Sequence, residues 1–161
     1  MLLAGGLATS QTHARQRLLQ VLESGHAAAM FAAMCAALGG PIDFMECFER
    51  YLPKAHFVRA VYAADCGVVA SIDTRTLGVA LVSMGGGRRF AGEKIDYSVG
   101  MSDFAELGQR IERDTPLALI HVRTEADAQA AASIVIGAFH LEEIASTLPP
   151  LIDQRIIEAQ H

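Results

Sequence analysis

The run Met84-Gly85-Gly86-Gly87-Arg88-Arg89 holds the residue types best suited to chemistry in this chain. Consecutive glycines let backbone N–H groups turn toward one anion, and two guanidiniums add charge in a geometry that suits phosphate or carboxylate. The context argues against a free-standing phosphate site. No Gly-Lys-Ser or Gly-Lys-Thr ending is present, and the glycines follow a helical pattern where those of a phosphate loop precede one. The helix would therefore offer its carbonyl end to the anion. A C-capping loop with Arg88 and Arg89 in solvent is the plainer reading.

Other chemistry is thinner. The six histidines, His13, His26, His56, His121, His140 and His161, lack the i, i+4 pairing and the Cys-x-x-Cys companions that hold zinc, so no metal site is expected. His121 follows Leu119 and Ile120 on an apolar run and reads as a core histidine donating to a backbone carbonyl. No Gly-x-Ser-x-Gly elbow supports nucleophilic catalysis. From Ser98 to Val122 the pattern Gly-x-x-Ile-x-x-x-x-Pro-Leu is similar to that of biotinyl and lipoyl carrier domains. Neither lysine, Lys54 or Lys94, sits between methionines or before Ala in an acidic setting, so the shape is expected without the attachment chemistry, and no cofactor is expected.

The elements that would position these residues follow from composition and punctuation. With 161 residues, 52% hydrophobic and 19% charged, the chain can build one main core. A net charge of -5 with both signs interspersed argues against nucleic acid as a partner. Three cysteines, Cys35, Cys47 and Cys66, without a signal-peptide pattern suggest reduced thiols in a cytoplasmic protein. No apolar run reaches the length of a membrane span.

Met1-Leu2-Leu3-Ala4 reads as an uncapped helical turn ended by Gly5-Gly6. Ser10 is an N-cap for a helix that Ser24-Gly25 stops. A second helix, from about Ala27 to Leu38, ends at Gly39-Gly40-Pro41, and Met30, Phe31, Met34, Cys35 and Leu38 form its expected buried stripe. A short helical or irregular connector follows, Pro41 to Pro53. The period then changes. The β-rich runs 56–62 and 67–72 are separated by only Ala63-Ala64-Asp65-Cys66, which predicts a hairpin. Asp73 caps a helix through Leu77, Ala80, Leu81 and Met84 to the glycines. Short strands, including Leu117 to Val122, precede a helix opened by Thr124 and Asp127 and running to about Ala138. Phe139 to Glu142 forms a closing strand. The expected fold class is α+β. Residues 1–50 are amino-terminal helices, 54–145 a hammerhead or barrel-sandwich-like domain, and 146–161 an extended or partly disordered tail.

Six segments carry a family resemblance: Tyr51-Leu52-Pro53-Lys54-Ala55, Ala60-Val61-Tyr62-Ala63, Asp73-Thr74-Arg75-Thr76-Leu77-Gly78, Met84 to Arg89, Ile95-Asp96-Tyr97-Ser98-Val99-Gly100 and Pro116-Leu117-Ala118-Leu119-Ile120-His121. In order and spacing they resemble the carboxy-terminal part of bacterial thymidine phosphorylases of the pyrimidine nucleoside phosphorylase family, from the first helices to about Ala145. The resemblance implies phosphorolysis of thymidine to thymine and 2-deoxyribose 1-phosphate, with phosphate and a pyrimidine nucleoside as partners of the full-length enzyme. It also implies a homodimer formed through a helical domain that this chain lacks. The phosphate-cradling glycine and serine segment and the base-binding Arg, Ser and Lys of the family have no counterpart here, so no catalytic residue carries over. The resemblance implies that 1–50 are the terminal helices of the large α/β domain and 54–145 the pyrimidine nucleoside phosphorylase carboxy-terminal domain, so the expectation is a carboxy-terminal piece that buttresses the large domain and is inactive alone. Gly85, Gly86, Gly87, Arg88 and Arg89 are its candidate closure loop. The alternative is an autonomous module that reuses the same fold to bind a small molecule or protein.

Overall fold

In the computed structural model, residues 1–144, 147, 148 and 150 are described. The chain divides into two compact units, Met1–Pro53 and the residues from Lys54 on. The expected tail from Ser146 lies outside the described residues, Thr147, Leu148 and Pro150 aside.

The first unit is helical: α1 (Gln11–Glu23), α2 (His26–Ala37) and α3 (Phe44–Tyr51). The Ser10 hydroxyl accepts from the His13 amide at 3.1 Å and satisfies one of the free donors at the start of α1. α2 ends in a Schellman motif. Gly39 takes φ 89°, its N–H donates to the Ala36 carbonyl at 3.0 Å, and the Gly40 N–H donates to the Cys35 carbonyl at 2.9 Å. A Cβ on Gly40 would lie 2.9 Å from that carbonyl oxygen, so glycine is demanded there too. α3 is pinned at both ends by the Tyr51 hydroxyl donating to the Asp43 carboxylate at 2.6 Å.

The expected buried stripe on α2 is not buried. Met30, Phe31, Met34 and Leu38 are exposed, Met30 by 72% and Leu38 by 80%, and Cys35 is half-buried. Among the described residues of this unit only Ala8 is buried. The reason lies in α2 itself. Its sequence HAAAMFAAMCAA is apolar on every side, so it has no polar face to leave in water, and two short neighbours cannot cover all of it.

The second unit carries β1 (Phe57–Tyr62), β2 (Gly67–Ile72), α4 (Thr74–Leu81), β3 (Gly100–Ser102), β4 (Arg110–Ile111), β5 (Pro116–Val122), α5 (Glu125–Ala138) and β6 (Phe139–Glu142). All strand pairs are antiparallel, in two three-stranded sheets ordered β1-β5-β3 and β4-β2-β6. Both sheets and both helices feed one core, whose most enclosed side chains include Val69, Ile111, Leu117, Ile120, Val122 and Val135. Amino-terminal helices followed by a small domain of two antiparallel sheets and two helices constitute the α+β class.

The predicted hairpin between residues 56–62 and 67–72 does not form. β1 pairs with β5, Phe57 opposite Val122, while β2 lies between β4 and β6 in the other sheet. The four-residue connection 63–66 carries the chain from one sheet to the other, where β1 and β2 each find other partners. The caps meet expectation. Asp73 accepts from the Thr76 amide at 3.0 Å and the Thr124 hydroxyl from the Asp127 amide at 3.1 Å. α4 stops at Leu81, earlier than expected, and a π-helical turn (Val82–Gly86) carries the chain on to the glycines with Met84 buried.

Candidate functional site

The glycine run sits where α4 unwinds. Gly85 has φ 96°, which a side chain resists. A Cβ on Gly86 would fall 2.5 Å from Leu81 Cδ1, and one on Gly87 2.7 Å from Val82 Cγ2. Each of the three glycines thus has a packing or backbone reason to be glycine, independent of any ligand.

The loop that follows is tied down from several sides. Glu93 accepts from the Arg89 amide at 2.6 Å and from the Arg89 guanidinium Nη2 and Nε at 2.6 and 3.0 Å. That contact raises the Arg89 pKa and holds the Glu93 carboxyl below its ordinary range. The Arg89 side chain is nonetheless 65% exposed, so both guanidiniums face solvent as expected, that of Arg89 with Glu93 as its partner. Arg88 is exposed, and among the described residues it has no ion-pair partner. At the base of the loop the Asp96 amide donates to the Gly85 carbonyl at 2.9 Å. Arg123 reaches the Asp96 carboxylate at 3.5 Å and the Met84 carbonyl at 3.4 Å. Asp96 also accepts from the Ser98 hydroxyl at 2.6 Å and amide at 2.9 Å. Those bonds, then Arg123 and His56, hold its carboxyl below the usual range.

Asp96 and Arg123 escaped the sequence reading as site residues. The Asp-x-Ser spacing marks a side-chain turn, but nothing local ties Arg123 to a carbonyl 39 residues away.

His121 is half-buried on β5, and its Nε2 lies 2.8 Å from the Ser102 hydroxyl of β3, not on a backbone carbonyl as expected. Gly100 stands opposite it in the sheet, which leaves room for the ring to lean toward Ser102. The Ser102 hydroxyl also donates to Asp103 at 3.0 Å. The Ser102 hydroxyl thus has two neighbours, Asp103 and His121, and which member of the Ser102–His121 pair donates depends on the imidazole tautomer.

Cys35, Cys47 and Cys66 are free thiols. Among the described residues no three His, Cys, Asp or Glu side chains are placed to share a metal ion. No single described helix is long and apolar enough to cross a membrane. An open cavity of about 440 Å³ lies between α4, the end of β2 and β3 and is almost wholly apolar.

The class defined by these features is a small α+β domain of paired antiparallel sheets with a clamped, glycine-started loop. Residues 68–142, from β2 to β6, match the family model of the pyrimidine nucleoside phosphorylase C-terminal domain. The match lies within the second unit. The chain therefore carries a domain similar to the one that ends pyrimidine nucleoside phosphorylases.

Proposed function

We propose that this chain is the carboxy-terminal part of a thymidine phosphorylase, the cytoplasmic enzyme that splits thymidine with inorganic phosphate into thymine and 2-deoxyribose 1-phosphate. The observation that carries the reading is the match of residues 68–142, joined to the motif order from Tyr51 to His121. In such a reaction phosphate attacks the anomeric carbon as the sugar gains oxocarbenium character and the base departs. The protein must hold phosphate, orient the base and stabilise leaving-group charge. The groups that do this belong to the large body and the helical domain of the enzyme. The exposed apolar sides of α1 and α2 suit packing against that body.

The second unit acts as a buttress. Its 85–96 loop, with Arg88, Phe90 and Lys94 exposed, is the element that docks when the domains close over substrate. The assembled enzyme is a homodimer through the helical domain. A second reading, an autonomous binding module, draws on the core that the second unit completes from its own residues and on the apolar cavity.

Complementation separates the two readings. The chain is mixed with a polypeptide carrying the helical domain and catalytic body of a bacterial thymidine phosphorylase that lacks this part. Recovery of phosphate-dependent thymine release supports the phosphorylase reading. Failure of the two polypeptides to associate, with the chain soluble and folded, favours the autonomous module.

A further inference from the structure

The 85–96 loop is closed at its neck by contacts that reach outside the loop. The Asp96 amide and the Gly85 carbonyl meet at 2.9 Å, so the two ends of the loop are joined directly. One guanidinium, from Arg123 at the junction of β5 and α5, then spans both sides of that neck: Nε is 3.5 Å from the Asp96 carboxylate and Nη2 is 3.4 Å from the Met84 carbonyl. The guanidinium packs over Gly85, where a Cβ would sit 3.4 Å from Nη2, an ordinary contact, so the glycine answers to its φ of 96° rather than to the arginine. Arg123 is itself placed by rigid elements, with Val122 fully buried before it and Thr124 capping α5 after it. Closing a loop at its neck removes much of its conformational freedom before it meets anything, and a preformed loop loses less entropy on docking.

We propose that Asp96 and Arg123 are positioning residues that clamp the neck of the 85–96 loop, so that its tip meets the closing domain already shaped. The proposal rests on the closure reading of this loop given above. It assigns no contact with substrate to either residue. Arg88 and Phe90, the latter 64% exposed, form the tip that docks. The clamp is partly exposed, so it weakens as salt screens the pair.

The test has two arms. In the first, amide hydrogen exchange is followed in the 161-residue chain for the wild type, Arg123→Gln and Arg123→Lys. Arg123→Gln is expected to speed exchange of the 86–95 amides about fivefold, the size suited to one partly exposed ion pair, with the β5 amides unchanged. Raising salt should move the wild type toward the variant, and Arg123→Lys should recover part of the protection. Unchanged loop exchange in Arg123→Gln overturns the clamp, whatever the loop does in closure.

The second arm measures thymidine phosphorolysis in the complemented enzyme. The clamp predicts that Arg123→Gln and Arg88→Ala both raise KM, with kcat less affected. If Arg88→Ala raises KM and Arg123→Gln does not, the positioning role is overturned and the closure reading stands. If neither variant moves KM, the closure reading fails and takes the positioning role with it.

Discussion

The two units of this chain contain much the same apolar residue types and do opposite things with them. From Lys54 on, strands alternate their side chains and two helices lie over them, so Val69, Ile111, Ile120 and Val122 are wholly enclosed. In Met1–Pro53 the three helices, of which α2 is apolar throughout, leave Leu22, Met30 and Leu38 in the open, by 64%, 72% and 80%. The difference is one of closure rather than composition. Two sheets with helices on them enclose a volume, whereas α1, α2 and α3 make a layer that needs another layer. The second unit encloses a core of its own, and the first leaves its apolar side chains exposed.

Substitutions in the two units should therefore part company most widely in the core. Ile120→Ala should cost about 2–5 kcal/mol in the main denaturant transition. Met30→Ser and Leu22→Ser should leave that transition within about 0.5 kcal/mol and reduce self-association seen by light scattering. Equal losses in both units would break the comparison.

The glycine turn comes next. Gly85→Ala forces a side chain onto φ 96° and should cost about 1–2 kcal/mol by chemical denaturation, whereas Gly78→Ala on α4, where a Cβ meets nothing within 4 Å, should be neutral or stabilising.

Caps sharpen the contrast more finely. Thr124→Ala should cost about 1 kcal/mol, because α5 packs into the core, and Ser10→Ala should leave the same transition unmoved. The Asp73 cap adds a pH signature. Its carboxyl is held below the ordinary value by the Thr76 amide and hydroxyl. The depressed folded pKa means that its contribution is fully present above about pH 4 and fades as pH falls through the lower folded value. Asp73→Asn should flatten that part of the acid denaturation curve.

Much of this architecture could be read along the chain because its signals are local. Ser10, Asp73 and Thr124 announce helix starts within three residues, Gly39-Gly40-Pro41 announces a stop, and the runs at 117–122 and 139–142 are strands as their composition predicts. Pairing was not legible. The short link at 63–66 suggests a hairpin, but which strands pair is decided by the whole core, and β1 found β5 some sixty residues on. The α2 stripe failed for a related reason, since periodicity marks a face that wants burial without saying that anything in the chain buries it. At the candidate loop the glycines stood out by composition alone, whereas Glu93 as the partner of Arg89, and Arg123 as the clamp on Asp96, became visible only when folding brought them together.

The most direct test of the account is phosphorolysis of thymidine by the purified chain alone, with thymine release followed by ultraviolet absorbance in the presence of phosphate and then without it. The account predicts no phosphate-dependent release, because under the proposed function the second unit would support and close a site that other parts of the enzyme build. Clear phosphate-dependent turnover would contradict it and return Arg88, Arg89 and His121 to consideration as groups that touch substrate.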